Sequence, residues 1–323
     1  MNGPPRFRIS AVISTWNKAE DVLANVAALK AGSRPPDEIV VVDNCSRDDT
    51  AARLAAEHPD VVLEVMPHDR KGACETFNIG FWRASGDLIA IMDDDVVATR
   101  DWLATLEARL AAEPASTAMV SSRVVEPGMP EHYQRAEVQR GAYYAATFRG
   151  CGTLVRADVL RDCGGYDERF FIYGNERDLA ARVLGRGLRI LQTPDAVIHH
   201  GTPFGMKAGK RSLYYHVRNF WLYAFKNCSW GQVFGSAWAL VRKGLGGAAG
   251  GDAPSAAAAG PTADDSEGEL EATGTMGLGK AIRETPGGLW ICVKATCAAL
   301  GNLPYCLSRR APVRSPDFKV PGL

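Results

Sequence analysis

Three consecutive aspartates, Asp93-Asp94-Asp95, close the apolar run Leu88-Ile89-Ala90-Ile91-Met92. Such a run reads as a buried strand that delivers carboxylates to its tip. Two unit charges about 4 Å apart repel by roughly 4 kcal/mol at an effective dielectric near 20, so ionised acids this crowded favour a divalent cation. Hard oxygen ligands suit Mg²⁺ or Mn²⁺. The competing reading is a solvated turn in which one Asp caps the next helix. Strand alternation puts Asp93 and Asp95 on one side, with Asp94 bracing the loop.

The elements that must hold these acids follow from the pattern upstream. Ile9 to Thr15 is a short β-branched run, and Asn17 with Glu20 marks the start of a helix whose core face is Val22, Leu23, Val26 and Leu29. Ile39 to Val42 is a continuous apolar strand ending in Asp43, and Ser46, Asp48 and Thr50 open a second helix, capped by Asp48. Val61 to Met66, a helix over about 72–85, and Leu88 to Met92 complete the series. Apolar strands alternating with helices predict an α/β fold with a largely parallel sheet covered on both faces. In such sheets ligands bind at the carboxyl ends of strands, where Asn17, Asp43 and Asp93 to Asp95 all lie.

Composition narrows the class. Lys plus Arg equals Asp plus Glu at 37 each in 323 residues, which gives no global reason to expect a nucleic-acid partner. The eight cysteines form no Cys-x-x-Cys pair and read as reduced core residues, consistent with a cytoplasmic protein. No secretory h-region precedes the first strand, and no segment reaches the roughly 18 to 20 apolar residues of a spanning helix. The first strand is followed by Ser14-Thr15-Trp16-Asn17 rather than Gly-x-Gly-x-x-Gly, and no Gly-rich loop with Lys-Ser or Lys-Thr appears. That argues against a nicotinamide dehydrogenase and a P-loop enzyme.

Five motifs in order, Ser14-Thr15-Trp16-Asn17, Val42 to Thr50, Lys71-Gly72 with Asn78-Ile79-Gly80, Ala84 to Asp87, and Asp93-Asp94-Asp95, resemble those of glycosyltransferase family 2. The resemblance covers about residues 7–227. It implies the GT-A fold, a Rossmann-like mixed and mainly parallel sheet flanked by helices, with a nucleotide-binding half over about 1–97 and an acceptor half over about 98–227. It further implies a nucleotide-diphosphate sugar donor of the UDP or dTDP type, a Mg²⁺ or Mn²⁺ ion, and inverting transfer to an acceptor hydroxyl. Asp43 would accept a hydrogen bond from the base, with an Asx turn as the alternative. Thr15 and Asn17 would line the same pocket, Asn17 alternatively serving as an N-cap. Arg70, Lys71 and Gly72 would approach the diphosphate, and Asn78 would contact the donor. Asp93 and Asp94 would face the nucleotide side, and Asp95 with Asp93 would hold the metal, completed by His199 or His200. Lys207, Lys210 and Arg211 read as a basic lid or as a solvated cluster.

Glu176, two positions before Asp178-Leu179, stands where the family places its general base, the more usual Glu-Asp pair being replaced by Asn175-Glu176. A positioned base contributes roughly 10²- to 10⁴-fold. Asp178 is the rival, and the bland reading of both acids is stabilisation of a helix N-terminus by about 0.3 to 1 kcal/mol. Gly152, Tyr166 and Asp167 would build the acceptor side. Residues 126–147 lack periodicity and read as a mobile loop, whose Tyr133, Tyr143 and Tyr144 would either stack on a sugar or anchor the loop. Ile190-Leu191 and Val197 to His200 read as two short strands separated by a turn at Thr193-Pro194-Asp195.

Residues 228–323 read as a helical extension. Within it 246–277 is rich in Ala, Gly, Ser, Asp and Glu and is expected to be disordered. Leu278 to Leu307 either lies on the membrane surface, with basic residues toward anionic lipid, or packs back on the protein. No Gln-x-x-Arg-Trp motif of processive synthases is found, which favours transfer of a single sugar to a glycan, lipid-linked sugar or small molecule in cell-surface glycan biosynthesis, as in rhamnosyltransferases. The alternatives are a sugar-phosphate nucleotidyltransferase, which would want a Gly-rich, Arg-containing first loop, and a non-catalytic nucleotide-sugar-binding protein, which would not need Glu176.

Overall fold

The computed structural model describes residues 7–67, 72–205, 209–246 and 278–320, with the side chains of 239–246 excluded. Arg70, Lys71, Lys207 and nearly all of the stretch expected to be disordered lie outside the described residues. The chain divides into two units, one running to Phe204 and the other from Gly205.

The first unit carries the βα series read from the sequence: β1 (Ile9–Thr15), α1 (Ala19–Ala31), β2 (Glu38–Asp43), α2 (Thr50–Glu57), β3 (Val62–Val65), α3 (Ala73–Arg83) and β4 (Leu88–Asp93). These four strands are mutually parallel in the order β3-β2-β1-β4. Successive β1 side chains face opposite ways. Ile9, Ala11 and Ile13 join Val22, Val26, Trp102 and Leu106 in one apolar cluster, whereas Val12 meets α3. There a Cβ on Gly80 would lie 2.4 Å from Val12 Cγ1, so glycine allows α3 to lie against the sheet. Parallel pairing aligns Ser14 with both Val42 and Asp93, which brings the ends of β1, β2 and β4 to one edge.

Beyond β4 the sheet becomes mixed. The elements are β5 (Val96–Ala98), α4 (Trp102–Ala112), β6 (Thr117–Val125), α5 (Glu131–Arg140), β7 (Tyr143–Tyr144), β8 (Thr153–Arg156), α6 (Ala157–Cys163), α7 (Asn175–Leu184) and β9 (Arg189–His200). β8 pairs antiparallel with β4 and β6, β6 runs parallel to β9, and β5 and β7 are antiparallel to β9. Two readings are corrected here, and one left open is narrowed. The stretch 126–147 is not a loop throughout: α5 and β7 form within it, and the polar α5 buries Glu137 against Gln192. Residues 189–200 form one strand rather than two, because the register shift between Ser121 and Arg123 on β6 absorbs the irregularity at Thr193-Pro194-Asp195. Tyr143 and Tyr144 are covered by Arg140 and Arg189, whose guanidinium carbons lie 3.5 and 3.2 Å from their ring centroids. They anchor the loop.

The second unit consists of α8 (Lys210–Asn227), α9 (Trp230–Gly246) and helices over Leu278–Glu284, Gly288–Gly301 and Leu303–Ser308. The contacts place α8 here rather than in a first domain ending at 227, because its partners come later in the chain. Trp221 Nε1 donates to Thr296 Oγ1 at 3.1 Å, and Arg310 donates to the carbonyls of Phe225 and Cys228. No helix among the described residues is long and apolar enough to cross a membrane.

Candidate active site at the carboxyl edge of the sheet

The acid turn is built by a hairpin. β4 ends at Asp93, Asp94 and Asp95 turn, and β5 leaves antiparallel to the end of β9, so that Val96 stands opposite His200 and Val97 opposite His199. Gly201 N donates to Asp95 O at 2.7 Å and closes the pairing. His200 thereby arrives beside acids more than a hundred residues earlier, while His199 faces outward. Asp93, Asp95 and His200 each present one ligand atom within 4.8 Å of the others. His200 Nε2 lies 3.1 Å from Asp95 Oδ1 and 3.8 Å from Asp93 Oδ2, and its Nδ1 faces Glu126 Oε1 at 2.9 Å. A carboxylate on the far nitrogen fixes ring orientation in the way that metal-binding histidines require. Lys18 Nζ bridges Asp95 Oδ2 at 2.7 Å and Asp94 Oδ1 at 3.2 Å. Thr202 Oγ1 donates to Asp95 Oδ2, and Asn25 Nδ2 pins the Asp93 carbonyl at 2.8 Å.

Charge in this cluster is unevenly held. Burial pushes the Asp93 carboxyl up to about 7, with His200 opposing and Asp95, Asp94 and Glu176 adding to the rise. Burial works the same way on Asp95, but hydrogen bonds from His200 and Lys18 overcome it and keep this carboxyl well below the usual range. Burial disfavours the His200 cation, yet the bonds to Asp95 and Glu126 outweigh it and raise its pKa to about 10. Burial lowers and the two aspartates raise Lys18, to about 12. Lys18 and His200 thus set positive charge against these acids, and the combination of carboxylate oxygens with one imidazole nitrogen fits Mg²⁺ or Mn²⁺.

Asp43 is buried at the end of β2. Its Oδ1 accepts from Ser46 N at 2.8 Å, while the buried Oδ2 has no partner among the described residues. Buried polar atoms normally find one, so Oδ2 is available to a ligand. Thr15 is buried at the end of β1 near Asp94. Asn17, at φ 52°, ties the first two loops together: its Oδ1 accepts from Arg47 N at 2.7 Å and its N donates to Ser46 Oγ at 2.8 Å. The N-cap position of α1 is Lys18 instead. Asp48 accepts from both the Thr50 amide and the Thr50 hydroxyl at the start of α2.

Glu176 lies in the first turn of α7, half-buried, and accepts from Asn175 Nδ2 at 3.0 Å. The approach to α7 is strained: Phe171, Tyr173 and Gly174 have φ of 66°, 65° and 74°. Such conformations cost on the order of 1 kcal/mol or more for non-glycine residues and cluster at functional sites. Burial raises the Glu176 carboxyl above its ordinary value. Asp178, fully buried, is held by Arg182 at 2.9 Å, and Arg182 also donates to the carbonyls of Cys163 and Gly165.

Other candidate residues are held by protein contacts. Asn78 is buried and its amide is engaged by Tyr166 N, Tyr166 O and Glu168 Oε1. Gly72 packs against Phe171, whose Cδ2 would lie 2.6 Å from a Cβ at 72. Gly152, Tyr166 and Asp167 are fixed by packing and capping. A Cβ on Gly152 would meet Ile198 Cδ1 at 2.5 Å, Tyr166 is a core ring against Phe77 and Phe81, and Asp167 caps a short 3₁₀ turn through Arg169 N. Lys18, Glu126 and Thr202 are site residues that the sequence reading missed. Glu126 had one legible signal, its place immediately after a β-strand.

Residues 10–167 match the family model described as Glycosyl transferase family 2. A pre-mycofactocin glycosyltransferase of Mycobacterium tuberculosis is 28% identical over 214 residues, covering 62% of this chain and 44% of the relative. Galactofuranosyltransferase GlfT1 of the same organism is 28% identical over 215 residues, covering 59% and 69%. The chain thus spans less than half the length of the first of these. Among solved structures, the mannosyltransferase PcManGT from Pyrobaculum calidifontis, in complex with GDP-Man and Mn²⁺, superposes with a TM-score of 0.54 at 18% identity, covering 94% of this chain and 84% of the other. That likeness concerns the fold, GT-A.

Proposed function

The chain belongs to glycosyl transferase family 2 through residues 10–167, and on that premise we propose that it is a metal-dependent, inverting glycosyltransferase. It moves one sugar from a nucleotide diphosphate of the UDP or dTDP type to an acceptor hydroxyl in cell-surface glycan or glycoconjugate synthesis. The observation that carries this reading is the convergence of the Asp93, Asp95 and His200 ligand atoms with a half-buried carboxylate, Glu176, close enough that its charge raises Asp93.

Asp43 Oδ2 accepts a hydrogen bond from the base. Asp93, Asp95 and His200 would hold Mg²⁺ or Mn²⁺, which when bound supplies positive charge to a leaving diphosphate. Glu126 keeps His200 Nε2 aimed at the acids, and Lys18 is a second cation at the same edge. Glu176 takes the proton from the attacking hydroxyl. Its raised pKa moves it toward the working pH, where a base is most effective. Asp178 is the weaker candidate for this role, since its carboxylate is engaged by Arg182 away from solvent. Release of free nucleoside diphosphate from a panel of nucleotide sugars, with Mn²⁺ present and absent, tests the proposal. Tight donor binding with no release under any condition would favour a nucleotide-sugar sensor.

A further inference from the structure

The second unit carries a surface that donor chemistry does not explain. In the helix Gly288–Gly301 the buried positions are Gly288, Ala295 and Ala299, all small, while Leu289, Trp290, Val293 and Leu300 are 69, 61, 49 and 50% exposed. Positions 289, 293, 297 and 300 lie along one helix face, so the outward face is more apolar than the inward one. The small inner residues permit close approach: a Cβ on Gly288 would stand 2.1 Å from the Ile282 carbonyl oxygen. α9 repeats the feature with Trp230, Phe234 and Trp238 at 45, 68 and 70% exposure.

Charge identifies what would cover such a surface. From Gly205 to Leu323 the sequence carries fourteen Lys and Arg against eight Asp and Glu, in a chain balanced at 37 and 37. Six of those acids (Asp252, Asp264, Asp265, Glu267, Glu269 and Glu271) fall in one stretch outside the described residues, so the described residues of this unit hold thirteen Lys and Arg (210, 211, 218, 226, 242, 243, 280, 283, 294, 309, 310, 314 and 319) against Glu284 and Asp317. Lys294 Nζ sits 5.4 Å from the Trp290 ring centroid, so a cation and an amphipathic aromatic lie side by side, as in helices resident at a bilayer interface. The stretch 247–277 offers only Leu270 and Met276 as large apolar side chains and is a poor candidate to cover this face. At 14 residues the helix is about 21 Å long, too short to cross the roughly 30 Å hydrocarbon core and suited to lying along its edge.

We propose that the second unit docks on anionic lipid bilayers, with the exposed face of Gly288–Gly301 seated among the headgroups and the surrounding Lys and Arg side chains on lipid phosphates. The test is sedimentation of the full chain with vesicles of phosphatidylcholine alone and with vesicles of equal parts phosphatidylcholine and phosphatidylglycerol. The chain should pellet with the mixed vesicles, be released by high salt, and stay in solution with phosphatidylcholine alone. Arg283→Ala and Lys294→Ala should each weaken binding roughly fivefold, and Trp290→Ser with Val293→Ser should abolish it. These side chains are exposed, and circular dichroism verifies that the variants fold. As a second readout, brominated phosphatidylcholine in the mixed vesicles should quench tryptophan emission less in Trp290→Phe than in the wild type. Failure to pellet, or pelleting untouched by the variants, would overturn the proposal. So would a self-associated chain that Val293→Asp converts to monomer without any lipid binding, since the face would then belong to a second copy.

Discussion

Glu176 occupies the space that a side chain at Gly150 would need: its Oε1 lies 2.6 Å, and its Cγ 3.0 Å, from where a Cβ would stand. A glycine three residues ahead of β8 therefore sets the position of a carboxylate at the start of α7. Gly150→Ala should displace that carboxylate and lower turnover roughly 10²-fold, the cost of a misplacement of about 1 Å in a catalytic group. Donor affinity, measured by calorimetry, should stay within a small factor of wild type.

Glu176→Gln should remove turnover and leave donor binding nearly intact. In the wild type, burial raises the Glu176 pKa, so the proton-accepting form is lost as pH falls through a value above the ordinary glutamate range. The acid limb of the rate profile should accordingly sit higher than for an exposed glutamate. An unaltered rate for Glu176→Gln would reassign the base.

Asp178 has a different expected signature. It is fully buried and ion-paired with Arg182, which in turn ties α7 to the carbonyls of Cys163 and Gly165. Removing one member of a buried pair costs about 3 to 5 kcal/mol, so Asp178→Ala should lower unfolding free energy by about 3 kcal/mol in urea titration. Loss of turnover with unchanged stability would contradict a structural role.

The first half of the fold was legible because β1, β2 and β4 are buried on both faces and read as unbroken apolar runs, each ending in a polar group. The acid turn was legible for the same reason. The family resemblance pointed to a histidine near the metal, and strand alternation limited it to one of His199 and His200. Choosing His200 required the antiparallel pairing of β5 with β9, a long-range register that a three-residue strand does not announce. Asn78 shows the converse. Its residue type and place suited a ligand contact, yet its amide is engaged by the backbone of Tyr166, and only the tertiary structure reveals that partner. Lys18 and Glu126 escaped notice because single charged residues beside strand ends are usually solvated.

Glu126→Gln provides a check on the orientation of His200. Its carboxylate faces Nδ1 at 2.9 Å, and loss of such an outer partner lowers metal affinity roughly 10- to 100-fold. Mn²⁺ binding followed by electron paramagnetic resonance should weaken by that order. Far-ultraviolet circular dichroism should be unchanged, since Glu126 lies beyond the end of β6.

Asp93, Asp95 and His200 are proposed to form a metal centre for glycosyl transfer. The most direct measurement is release of free nucleoside diphosphate from a nucleotide-sugar panel by wild type and Asp95→Asn, each with Mn²⁺ and after chelation. Release by the wild type in Mn²⁺ alone, and by neither protein after chelation nor by Asp95→Asn in Mn²⁺, is the predicted result. Equal release with and without metal, or by Asp95→Asn at the wild-type rate, would contradict it.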